Sequence, residues 1–153
     1  MRLVNRTLLR KLIRLPPSEW GDLLAAQGAL LRAQLLVWTR PRGWLLAPAQ
    51  RPAVAETGRR DVAPMVRRLA LAVERAAECG LFRPTCLVRA VAVHRTLESH
   101  GFVGSWIRVG VRQEGARFLA HAWVDYQGHV LADREWRVKE FADLARMGVT
   151  AVS

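Results

Sequence analysis

Residues 117–133, RFLAHAWVDYQGHVLAD, read as a β-hairpin carrying two histidines and two aspartates. With Tyr126, Gln127 and Gly128 as a three-residue loop, and Gly128 in the left-handed position such loops favour, the register pairs Asp125 with His129, Trp123 with Leu131 and His121 with Asp133. Directly opposed residues hold their Cβ atoms about 4.5–5.5 Å apart, within reach of a carboxylate that orients an imidazole. Asp125 shares a face with His121, but four residues along one strand it is roughly 13 Å away at about 3.3 Å per residue. The hairpin therefore predicts a His121–Asp133 pair.

Upstream, LFRPTCLVRAVAVHRTLESHGF (residues 81–102) predicts a helix that starts at Cys86, because Thr85 is a good N-cap and Pro84 precedes it. The positive end of a helix favours a thiolate, as does a nearby imidazolium. The same helix start offers unpaired backbone N–H groups, that of Cys86 among them, as oxyanion donors. A lone cysteine in an apolar helix is more often a small buried hydrophobe than a nucleophile, and a strand histidine is more often structural. The combination of a cysteine at a helix start, a histidine on a strand and an aspartate at the paired position points instead to thiol catalysis.

The segment CLVRAVAVHRTLESHGFVGSWIRVGVRQEGARFLAHAWVDYQGHVLAD, residues 86–133, closely resembles the core of the lasso-peptide leader peptidases, which are transglutaminase-like cysteine proteases. The resemblance rests on the C-L-x-R-A opening, the R-V-G-V-R strand end, the A-H-A-W-V block and an aspartate twelve residues after the histidine, and it covers about a third of the chain. It implies that Cys86 is the nucleophile, His121 the base and acid, and Asp133 the orienting carboxylate. It also implies an α+β fold of the transglutaminase or papain type, with N-terminal helices, then the cysteine helix, then an antiparallel sheet. Some members of that family begin with a small winged-helix-like domain that recognises the leader. No run of alternating strands precedes the helices here, so the chain resembles the split form, whose recognition domain is a separate protein. The family's partners follow as expectations: a precursor peptide as substrate, the separate recognition protein, and an ATP-dependent cyclase acting on the released core.

Composition bounds the remaining possibilities. With 153 residues, 51% of them hydrophobic, the chain is long enough to bury a sizeable core as one compact domain. We divide it into a helical region with its connecting loop at 1–60 and a protease core at 61–153. The formal charge of +11 suits an acidic partner or an anionic membrane surface. All but Lys11 and Lys139 of the basic residues are arginine, in a chain rich in alanine and leucine, and that bias weakens the functional reading of the charge. No Gly-rich phosphate loop or RNA-binding aromatic signature occurs, and neither a cofactor nor a nucleic-acid partner is expected. Cys79 and Cys86 make no secreted disulfide framework, and a free nucleophilic thiol suits the cytoplasm. A metal site from Cys79, Cys86, His94 and His100 lacks any zinc spacing.

Met1 to Leu15 reads as a basic amphipathic helix, whose arginines interrupt any apolar run a signal peptide would need. A second helix spans Ser18 to Thr39, with Trp20, Leu23, Leu24, Leu30, Leu31, Leu35 and Trp38 recurring at helical spacing as its core side and apolar surface left over. Arg40 to Arg60, rich in Pro and Gly, is an irregular connection in which Trp44 either plugs the core or meets a partner. Asp61 caps a third helix running to Glu78, with a stripe of Met65, Leu69, Val73 and Ala76 or Ala77. Trp106 to Val111 forms the first strand, turning at 113–115. After Asp133, Trp136 and Val138 could extend a strand, and Lys139 to Arg146 has helical character. Two other functions compete with the peptidase: the same three residues in an acyl transferase, which passes its acyl group to an amine, or a non-catalytic basic module for nucleic acid or membrane.

Overall fold

The computed structural model describes residues 17–40, 62–80 and 82–143. Three helices are followed by a sheet: α1 (Pro17–Thr39), α2 (Pro64–Cys79), α3 (Cys86–Ser99), β1 (Ser105–Glu114), β2 (Arg117–Tyr126), β3 (His129–Leu131), the single turn α4 (Glu135–Val138) and β4 (Ala142–Asp143). The four strands are antiparallel to their neighbours, in the order β3-β2-β1-β4. This is the expected mixed α+β architecture. The expected helix at Met1 to Leu15, the connection that holds Trp44, and Asp61 lie outside the described residues.

α3 is the hub of the core. It buries Val88, Ala90, Val91, Ala92, Val93 and Leu97, more than one face of a helix, because α1 and α2 cover one flank and the sheet covers the other. Thr85 caps its start as expected, accepting from the Val88 N–H at 3.4 Å. The sheet meets these helices through alternate residues: Ile107 and Val109 of β1, Ala122, Val124 and Tyr126 of β2, and Leu131 of β3 join the same apolar cluster. Period-two alternation then sends His121, Trp123 and Asp125 to the opposite face, with Arg108 and Gly110 beside them on β1.

Several expectations are corrected. Of the stripe read on α1, Leu30 is buried and Leu23 packs against the core, but Trp20, Leu24, Leu31, Leu35 and Trp38 are exposed, and Ala26 and Ala33 are buried in their place. The helix is apolar nearly all round, so periodicity could not choose a face, and the alanine side permits closer approach to α2 and α3. On α2 the expected Val73, Ala76 and Ala77 are buried, but in its first half Val66 and Ala70 take the place of Met65, which is exposed, and Leu69, which is partly buried. Its N-cap position is Ala63, with no side-chain cap, and not Asp61. β1 runs to Glu114, three residues further than expected. After Asp133 the chain forms a helical turn at Glu135–Val138, and Ala142–Asp143 pairs with Gly110 and Val111 as a strand.

His94 pins α3 to the sheet, its Nδ1 hydrogen-bonded to Ser105 Oγ at 2.8 Å. Burial holds its imidazole below the usual histidine range; Glu98 opposes that shift and Arg95 adds to it. A histidine more readily protonated when unfolded costs stability on acidification, so the contribution is present above its ordinary value of 6.5 and is lost as pH falls through and below it. We predict that wild type loses more stability between pH 7.5 and pH 5.5 than His94→Gln does. Urea midpoints at the two pH values check this.

Candidate active site

The turn of the β2–β3 hairpin sets the site. It contains two residues, not three: Tyr126 pairs with His129, Asp125 with Val130 and Val124 with Leu131, one position away from the expected register. Gln127 and Gly128 both take positive φ, at 53° and 81°, as a tight hairpin turn of the primed kind demands. Continued as a regular strand, this register would place Arg134, not Asp133, opposite His121. The strand stops at Leu131, however, and Ala132 has a φ of 54°, a left-handed kink that turns Asp133 inward.

Asp133 Oδ2 is hydrogen-bonded to His121 Nε2. Its other oxygen accepts from the Arg134 N–H at 2.7 Å, so both carboxylate oxygens are held. The pair is shielded, with side-chain exposures of 6% for His121 and 9% for Asp133, which strengthens its electrostatic coupling. Because Nε2 faces the carboxylate, Nδ1 is the ring nitrogen left to exchange a proton with a thiol. Asp125 has a different task. It accepts from Trp106 Nε1 at 3.2 Å and from the Gly128 N–H at 3.0 Å, and it pairs with Arg108 at 3.3 Å, so it ties the hairpin turn to β1.

The His121 ring is flanked by Phe141, at 5.1 Å between centroids, and by Trp123, at 6.3 Å. Gly110, directly opposite His121 on β1, makes this possible. A Cβ at Gly110 would stand 2.8 Å from Phe141 Cβ, 2.9 Å from Trp123 Cη2 and 3.0 Å from the Ala142 carbonyl oxygen. Arg112 lies over the Phe141 ring at 5.3 Å and is hydrogen-bonded to Glu140, which holds the β4 segment down. Sequence reasoning missed Phe141, which fell in a tail of mixed character; the strand glycine in RVGVR was the available signal, since such a glycine marks close approach of neighbouring groups. Gly110→Ala should destabilise the fold by about 1–3 kcal/mol, because neither the Phe141 Cβ nor a backbone carbonyl can swing aside. The urea midpoint measures this.

Cys86 occupies the first turn of α3 as a free thiol, half-buried against the core. Cys79 is likewise free, at the end of α2. Among the described residues no group of three or more His, Cys, Asp or Glu could hold a metal ion. Of the four residues considered for one, His94 serves the α3–β1 joint and His100 Nδ1 contacts the Thr96 carbonyl oxygen.

The family model described as the transglutaminase-like superfamily matches residues 29–146, more than half of the chain. The chain belongs to the transglutaminase-like superfamily. The match takes in the last eleven residues of α1 and every later element, so the transglutaminase-like domain includes the cysteine helix and the hairpin. Such a domain fits a cysteine peptidase or an acyltransferase. Searches of curated proteins and of solved structures found no match.

Proposed function

We propose that this transglutaminase-like protein is a cysteine peptidase that removes the leader from a ribosomally made lasso-peptide precursor, with Cys86, His121 and Asp133 as its catalytic triad. The observation that carries the reading is the shielded His121–Asp133 hydrogen bond, in a chain whose capped helix start bears a cysteine. Cys86 packs against the core cluster on the helix side of the sheet, whereas His121 lies on the opposite face, so the proposed encounter of thiol and imidazole takes place around the edge of β2. β3 pairs with β2 only from Val124 onward, so at His121 that side of β2 has no strand against it among the described residues.

In this mechanism His121 Nδ1 accepts the Cys86 proton, and the thiolate attacks the carbonyl carbon at the end of the leader. Backbone N–H groups at the start of α3 stabilise the oxyanion. The imidazolium, held by Asp133, gives its proton to the departing amine of the core peptide, and water then hydrolyses the leader thioester. Resemblance to the leader peptidases supports a leader with threonine at its next-to-last position, presented by a separate recognition protein. An ATP-dependent cyclase would use the released amine. The superfamily accommodates acyl transfer equally well, and product mass is the test: hydrolysis adds water to the leader, whereas transfer adds an amine.

A further inference from the structure

α1 turns Ala26, Leu30 and Ala33 toward the core and leaves Trp20, Leu24, Leu31, Leu35 and Trp38 in solvent, Trp38 at 74% exposure. At about 100° per residue, these five fall within about 60° of one another around the helix, and the two tryptophans stand about 27 Å apart along it. Single exposed apolar side chains are ordinary. A continuous stripe along a helix of 23 residues is an interaction surface.

Charge identifies what covers it. The stripe holds no acidic residue, and the sequence on either side of α1 is strongly cationic: residues 1–16 contain five Arg or Lys and no acid, and residues 40–60 contain five Arg against one Glu. An anionic bilayer surface matches both features. The headgroup–acyl boundary takes the leucines, tryptophan favours the same depth, and acidic headgroups attract the flanking basic residues. A neutral apolar partner, or a second copy of this equally basic chain, would match the stripe but not the charge. We propose that α1 docks the protein on an anionic membrane surface, lying in the interface without crossing it; no described helix is long and apolar enough to cross. This inference is independent of the catalytic reading.

The test is co-sedimentation of the full chain with vesicles of phosphatidylglycerol and phosphatidylcholine, compared with phosphatidylcholine alone. The expected result is binding to the anionic vesicles with a blue shift of tryptophan emission. Leu31→Glu/Leu35→Glu should bind at least about tenfold more weakly with unchanged helix content, since two buried leucines are lost. If that variant fails to fold, Trp38→Ser replaces it. Three results overturn the proposal: no binding to anionic vesicles, equal binding by the stripe variant, or a chain that is dimeric through the stripe, becomes monomeric in the variant and ignores vesicles.

Discussion

Cys86→Ala will lower precursor cleavage by roughly 10⁴-fold or more, to the background rate, because a methyl group cannot form the thioester on which both steps depend. The loss should appear with little change in folding. Cys86 is half-buried and sits at the helix start, where alanine is tolerated, and the cap is supplied by Thr85, which the substitution leaves in place. Cys79→Ala is the control, since that thiol lies at the far end of α2 and has no role in the chemistry. Initial rates for the three proteins, with melting curves beside them, check both parts. Substantial activity in Cys86→Ala would remove the nucleophile from the mechanism.

The second large effect is expected at Asp133. Asp133→Ala deletes the group that binds His121 Nε2, leaving the ring free to rotate and its cationic form unsupported. We expect kcat to fall by roughly 10⁴-fold, as found when the carboxylate of such a triad is removed. KM should change little, because the carboxylate lies behind the imidazole and does not face the substrate. Asp133→Asn should retain more activity than Asp133→Ala, since an amide oxygen can still accept the ring N–H. Asp125→Asn offers the contrast. Its carboxylate ties the turn to Arg108 and Trp106, so its replacement should lower stability more than turnover.

Much of this arrangement was legible in the sequence, for identifiable reasons. Thr85 and Pro84 announce the start of α3, and the alternation around His121 announces β2, because capping and period-two burial are local rules. The His121–Asp133 pair was reached through a register that the structure corrects. A three-residue loop places the two residues opposite each other directly, whereas the actual two-residue turn requires the kink at Ala132 to bring Asp133 round. Positive φ at an alanine has no local signature, so pattern reasoning could not supply it. The face of α1 was misread because leucine and tryptophan surround the helix, and the small alanines that meet α2 and α3 carry the weakest apolar signal. Phe141 reaches His121 only because β4 folds back onto β1 across a glycine, a non-local contact that no window of sequence contains.

Mass spectrometry of a lasso-type precursor peptide, incubated with the chain and its recognition partner beside the Cys86→Ala variant, decides whether Cys86 cleaves a leader. The expected result is cleavage at one bond, yielding a leader with a free carboxylic acid and an unmodified core, and no products from the variant. Cleavage that persists without Cys86, or a leader carrying an added amine in place of water, would rule out the thiol peptidase.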